Sequence, residues 1–472
     1  LGGACTVGRM DSTTECLTDW MTRQRWYAGK GRIPQLVEVF REEWQAHATT
    51  PYDGAPSSEP ESSADAPSSD DGSARIIVLL VRDLANNPPS LYHVPMVERS
   101  TIPKGAGPYL IGRTDDDRYL FDGAFDPLYT TELLHRLSVT RADTRSRVHA
   151  GEQSNTSIIY DQGSEAAVVA KIFRLVHTGE NPDVTLQTAL TSAGYRSVPR
   201  MLGYLSGAWH DPYEHEERSV GHLAFAQEFI PGVQDGWQIA LQSSADRDDF
   251  TAHAERLGRT TAEVHTGLAA CLPTREATLG DIVGFVAGWH QRLAIATSDV
   301  PELRALRPAI EAVYDSAQDA PWPKLQRIHG DYHLGQVLRR PSGEWLLVDF
   351  EGEPLRPLSE RTRADSPLRD VAGMLRSFDY VVGARRNTAA DEAARDAVDP
   401  EWARAARAGF LDGYIAESEV DLRAHRQLLD AFELDKAVYE AMYEARNRPA
   451  WLPIPLAGIR YLVSEERLAA RR

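Results

Sequence analysis

The sequence predicts an α+β protein: a β-rich stretch, then a mostly helical one, with an additional α+β domain in front. Three observations carry this. Runs of β-branched residues recur up to about residue 235. From 236 onward apolar residues return at three- and four-residue steps. One acidic segment, "IHGDYHLGQVL" (328–338) followed by "WLLVDFEGEP" (345–354), breaks the helical part as a loop and a hairpin. The 472 residues, 42% hydrophobic and 25% charged, are enough for two or three globular domains.

In chain order, "QLVEVFREEWQA" (35–46) and "ARIIVLLVRDL" (74–84) read as strands of a small sheet. Between them, residues 49–74 are rich in Pro, Ser, Asp and Glu with almost nothing apolar, so this stretch is expected to be a disordered acidic insertion. "TELLHRLSV" (131–139) reads as a helix, and residues 1–148 form an N-terminal α+β domain. Residues 149–235 form a β-rich intermediate subdomain. "SIIYDQ" and "AAVVAKIFR" are strands joined by a turn at Gly163, and "HLAFAQEFIPG" is another. Between them lies a helix opened by Asn181-Pro182 and closed by Gly194. Residues 236–472 are the helical part, with helices over 246–272, 280–297, 302–317, 366–382, 400–417 and 422–448. A β-rich lobe, a helical lobe and an acidic loop between their sequences imply two lobes with a cleft.

The net charge of −18 argues against non-specific nucleic-acid binding and against an anionic membrane surface. Three cysteines, none in a CxxC pair, suggest no disulfide framework and fit a reducing cytoplasm. The longest apolar run is too short to cross a bilayer.

Charge inside apolar segments marks the chemistry, because a carboxylate taken from water costs several kcal/mol unless it is paired. Asp331 in "HGDYHLGQ" can orient a hydroxyl or take its proton, and Gln336 can offer a carbonyl oxygen to Mg²⁺. Asp349, at the end of an apolar strand, suits a hard divalent cation. Together they read as a phosphotransfer site. Lys171 lies in a strand ahead of a helix, where it can hold nucleotide phosphates. Alone it reads as a solvated strand residue, and its place in a two-stranded unit ahead of a helix is what raises the phosphate reading. The preceding hairpin has no Gly at its tip but offers Ser154, Asn155, Thr156 and Ser157 to phosphate oxygens. From spacing alone it is simply a polar turn. His329 reads as a structural residue of the loop, and Glu351 and Glu353 as support for the metal site.

These segments resemble the aminoglycoside-phosphotransferase branch of the bilobal, eukaryotic-protein-kinase-like fold. Together "RQRWYAGKGR", "GEQSNTSIIYD", "HGDYHLGQVL", "VDFEGEP", "SPLRDVAGMLRSFDY" and "DKAVYEAMYEARNRPAWLPIPL" resemble actinobacterial maltokinases over nearly the whole chain except the insertion. The resemblance implies transfer of the γ-phosphate of ATP to the anomeric hydroxyl of maltose, giving maltose 1-phosphate for α-glucan synthesis. It implies Asp331 as base, Gln336 and Asp349 on Mg²⁺, and Lys171 on ATP phosphates. Gln227, Glu228 and Phe229 would be the hinge that meets adenine through its backbone. It also implies a cap domain over 1–148 and a trehalose synthase as partner. One departure stands out: the helix after Lys171 has no Glu to pair with it, and only Asp183, with Glu180 ahead of the helix, lies nearby.

Asp435, Tyr439, Met442, Tyr443 and Arg446 share one helical face. Such stripes are commonly core-facing. With the resemblance, Asp435, Tyr439, Tyr443 and Arg446 are expected to contact the sugar through ring faces and hydrogen bonds. Asp435, Glu440 and Glu444 keep an aminosugar or aminoglycoside acceptor open as an alternative. A non-catalytic scaffold for a maltose-producing enzyme is the other. Arg361, Arg369 and Asp370 are expected to pin the loop of Asp331 as an ion network.

Overall fold

The computed structural model describes residues 12–45, 74–149, 154–161, 166–213, 218–353, 356–418, 420–464 and 467. The expected insertion, save its last residue, and the turn at Gly163 lie outside these residues. The chain divides into two compact units: residues 1–181 with 201–229, and residues 182–200 with 230–472.

In the first unit, α1 (Ser12–Met21) precedes β1 (Leu36–Trp44), β2 (Arg75–Asp83), β3 (Ser90–Arg99), β4 (Leu110–Arg113) and β5 (Tyr119–Asp122). These strands make an antiparallel sheet in the order β1-β2-β3-β5-β4. The unbroken apolar run of β2 has a simple cause: both its faces are covered. Ile76 and Val78 enter one core with Trp44 and Tyr129, while Ile77, Leu79 and Val81 enter another with Leu17 and Trp20. The helix expected over 131–139 is α2 (Pro127–Arg136). It starts four residues earlier because Asp126 caps it, accepting from the Leu128 N–H, and Pro127 supplies a fixed φ at its first turn.

The second sheet of this unit contains β6 (Arg147–Val148), β7 (Asn155–Tyr160), β8 (Val168–Phe173), β10 (Met201–Trp209) and β11 (Ser219–Glu228), in the order β10-β11-β8-β7-β6. Short β9 (Leu175–Val176) pairs with β3, so the chain leaving β8 joins the first sheet. Ile158, Ala170, Ile172 and Ala224 share a core with Leu133 and Leu134 of α2.

The second unit starts with α3 (Pro182–Ser192), the helix expected after Lys171. It continues through β12 (Gln234–Asp235), α4 (Gly236–Asp246), α5 (Thr251–Cys271), α6 (Leu279–Asp299) and α7 (Leu303–Ser316). The acidic segment supplies the hairpin β13 (Val337–Arg339) and β14 (Trp345–Leu347). Short α8 (Leu358–Arg361), α9 (Leu368–Asn387), short α10 (Glu392–Asp396), α11 (Glu401–Glu417), α12 (Arg426–Asn447) and α13 (Pro453–Leu462) follow. The helix expected over 246–272 is α5, which starts five residues later; α4 ahead of it was not expected, and it ends at Arg247, which takes a left-handed backbone (φ 59°). α9, the central helix, is buried from Leu368 through Phe378 apart from Arg369, with Val371, Leu375 and Phe378 in the main core.

Candidate active site

The loop that carries Asp331 is held through its backbone N–H groups and through the side chains of His329 and Tyr332. The N–H groups of His329 and Gly330 donate to the two oxygens of Asp370 at 2.8 and 2.9 Å. His329 lies 2.9 Å from the Val348 carbonyl through Nε2, which therefore carries the proton, and accepts the Asp331 N–H at Nδ1, 3.4 Å away. The Tyr332 hydroxyl lies 2.7 Å from Thr261 Oγ1 of α5. A Cβ on Gly373 would sit 2.5 Å from the Tyr332 carbonyl, so only glycine lets α9 come this close. Gly330 has a φ of +84°. The expectation for His329 as a loop-holding residue matches this geometry. Of the three residues expected as an ion network, Asp370 accepts backbone N–H groups and Arg369 pairs with Asp365 (2.7 Å). Arg361 bonds the carbonyls of Glu351 and Arg356.

Gln336 and Asp349 are brought together: the Gln336 amide nitrogen donates to Asp349 Oδ2 at 3.0 Å, which leaves its carbonyl oxygen as the donor for a cation. One carboxylate oxygen each from Asp183, Asp349 and Glu351 lies within 4.8 Å of the other two. Asp183, from the first turn of α3, is buried and accepts the Phe350 N–H at 2.9 Å. Asp349 itself has a left-handed backbone (φ 66°), a conformation that costs energy in a non-glycine residue. Three carboxylates and an amide oxygen are hard oxygen donors, a set that fits Mg²⁺.

Beside Asp331 lies a residue the sequence reading passed over. Lys436 of α12 places its ammonium 2.8 Å from Glu353 and 3.5 Å from Asp331. Burial favours its neutral form, but Glu353 and Asp331 outweigh this and raise its pKa. In turn, burial would raise the Glu353 carboxyl, yet Lys436 and Arg356 hold it well below the usual range. A small cavity of about 20 Å³ opens here, lined by Lys436, Glu353, Arg292, Asp435 and Tyr439 among others. Asp435 pairs with Arg292 at 2.7 Å. The one signal in the sequence was the step of three from Lys436 to Tyr439, which puts the ammonium 5.4 Å from the ring centroid.

The remaining candidates are spread more widely. Tyr443 is 40% exposed and Arg446 pairs with Asp299 at 2.5 Å; neither lines the cavity. Seven residues from Tyr439 to Arg446 advance the helix by about 10 Å. In the first unit, Lys171 on β8 is flanked in register by Ser157 and Phe225, with its ammonium 6.0 Å from the Phe225 ring. Ser154 is exposed, Asn155 and Ser157 are buried, and Thr156 Oγ1 accepts from buried Arg174 at 2.8 Å. Gln227 and Glu228 end β11, and the Phe229 N–H is taken by the Ala167 carbonyl at 3.0 Å.

The profile of the phosphotransferase enzyme family matches residues 147–410, and that of the maltokinase N-terminal cap domain matches residues 41–126. The chain is 31% identical over 333 residues to a glucosamine kinase of Streptacidiphilus jiangxiensis, covering 66% of this chain and 72% of that protein. It is 30% identical over 336 residues to a glucosamine kinase of Mycolicibacterium smegmatis, covering 66% and 78%. A solved glucosamine kinase in complex with glucosamine, ADP and inorganic phosphate superposes with a TM-score of 0.64 at 26% identity, over 84% of this chain and 94% of that one.

Proposed function

This chain belongs to the phosphotransferase enzyme family, with a protein-kinase-like α+β fold and an N-terminal cap domain, and we propose that it is an ATP-dependent maltose kinase. The observation that carries the reading is Lys436 between Asp331 and Glu353, beside a cavity whose carboxylates are already paired. An acceptor bearing an ammonium group needs a carboxylate of its own. The three acidic residues of α12 that would serve it each face an arginine instead. Asp435 pairs with Arg292 (2.7 Å), Glu440 with Arg376 (2.9 Å) and Glu444 with Arg448 (2.6 Å). Lys436, Arg292 and Arg356 around the cavity favour a neutral polyhydroxyl. A disaccharide exceeds a cavity of about 20 Å³, and in this reading the space is the inner end of the acceptor site.

In this reading Asp331 orients the C1 hydroxyl of maltose and takes its proton as the oxygen attacks the γ-phosphorus of ATP; the bond to the bridging oxygen breaks and ADP leaves. Lys436 holds the Asp331 carboxylate in place, and Lys171 binds ATP phosphates. Gln336, Asp349 and Glu351, with Asp183, would hold Mg²⁺, which when bound neutralises phosphate charge. Cytoplasmic localisation and a maltose-supplying trehalose synthase belong to the same reading. Among the described residues no helix is long and apolar enough to cross a membrane.

The second reading, glucosamine as acceptor, is favoured by the names of the two curated relatives described above. Assays with ATP and Mg²⁺ on maltose and on glucosamine, with the phosphate located by NMR, decide between them. Maltose is expected to be phosphorylated at C1 with the higher kcat/KM; preference for glucosamine would establish the second reading. Asp331→Asn is expected to keep ATP binding and to lower transfer by about 10³-fold. Transfer at the normal rate in that variant would remove Asp331 from its role.

A further inference from the structure

Lys436 stands between two carboxylates, 2.8 Å from Glu353 and 3.5 Å from Asp331. Their neighbours are already matched. Glu353 also takes the Arg356 guanidinium at 2.7 Å, and Asp435, one residue before Lys436 on α12, takes Arg292 at 2.7 Å. Three cations (Lys436, Arg356, Arg292) thus face three carboxylates (Asp331, Glu353, Asp435), and the charges balance without a ligand. Arg369, which lines the same cavity, is neutralised by Asp365 at 2.7 Å, and the oxygens of Asp370 take the N–H groups of the Asp331 loop. Glu353 and Asp435 are 9% and 3% exposed, so little water is present to screen an added charge.

The ammonium is directed here by the helix that carries it. Glu440, one turn further along α12, gives its carboxylate to Arg376 at 2.9 Å, which leaves Lys436 to Glu353 and Asp331.

We propose that Lys436 is a specificity-determining residue: its ammonium occupies the place that the ammonium of an aminated sugar would need, so the site admits a hydroxyl and rejects a protonated amine beside the reacting carbon. The placement of the acceptor rests on the kinase reading. A sugar whose C1 hydroxyl meets Asp331 brings its C2 substituent, one bond further on, within reach of Lys436. A C2 hydroxyl accepts a hydrogen bond from that ammonium through its oxygen. A protonated C2 amine has no lone pair to accept one, and it adds a fourth cation to a balanced site. With methionine at 436, two carboxylates lose their shared partner and a sugar ammonium can take its place.

Glucose and glucosamine share one ring and differ only at C2, so the ratio of their kcat/KM values reads this charge apart from the maltose question. The full chain is assayed on both with ATP and Mg²⁺ at about pH 6.5, below the range near 8 where such an amine loses its proton. In the wild type, glucose is expected to be used at least about 10-fold better. In folded Lys436→Met, the ratio is expected to move toward glucosamine by about 10²-fold, while both rates fall because Asp331 is held less well. Lys436→Arg keeps the charge and is expected to stay within about fivefold of the wild-type ratio. Equal or better use of glucosamine by the wild type, or an unchanged ratio in folded Lys436→Met, overturns the proposal. If that variant does not fold, the wild-type ratio decides. Maltose proving no better an acceptor than glucose would defeat the maltose reading and leave this one standing. A wild type that phosphorylates no sugar would defeat the kinase reading, and calorimetric binding of the same two sugars would still decide the role of Lys436.

Discussion

At the scale of single residues, the difference between a type and a partnership decided what could be read. "HGDYHLGQ" and "VDFE" announced Asp331, Gln336 and Asp349 because charge in an apolar run has few other uses. Lys436 and Arg292 gave no such signal: their partners Glu353 and Asp435 lie 83 and 143 residues away. Thr156, a hydroxyl expected to serve phosphate, shows a partnership the sequence did not announce: its oxygen accepts from Arg174. The same scale carries a pH prediction. His93 is fully buried on β3, and burial, then Arg174, lowers its pKa to about 3. In the unfolded chain it titrates near the usual 6.5. Below that value the unfolded state binds a proton that the folded state refuses, so stability falls as pH drops from 6.5 toward 3. The slope from this one group is about 1.4 kcal/mol per pH unit. Urea unfolding at pH 7 and pH 4.5 should show it, and His93→Gln should lack this part of the loss.

At the scale of elements, helices with a clear polar punctuation were legible and helices placed by close contact were not. α6 and α11 begin and end within two residues of the pattern that predicts them, and α9 begins within two and runs five further. α4 escaped because its end falls at Arg247, a position where glycine or asparagine would have marked a helix before it. Small residues matter here for where helices sit. Gly413→Ala must push α11 off α5 or strain both, since the added carbon meets the Glu255 carbonyl. It is expected to cost about 1–3 kcal/mol of stability, read from urea unfolding, and to lower transfer activity alongside.

At the scale of the whole molecule, the order of a β-rich part and then a helical part broken by an acidic hairpin was visible in periodicity alone. The sorting of α3 with the helical unit was not, because it depends on long-range packing of Leu186 and Leu190 against α5 and its neighbours. A property of the entire chain follows from the carboxylates of Asp183, Asp349 and Glu351, which repel one another until a cation joins them. Millimolar Mg²⁺ is expected to raise the melting temperature by mass action on the folded state, and Glu351→Gln to shrink that rise. An unchanged melting curve in the wild type would argue that these groups hold no ion.

Asp349, with its backbone turned to a φ of 66°, sets durability against turnover. Asparagine adopts that turn as readily, and a neutral amide would relieve the crowding around it. Asp349→Asn should therefore melt no lower than the parent in metal-free buffer, and higher if crowding dominates, while passing no phosphate to any sugar. Selection for a sturdier chain alone would discard this aspartate.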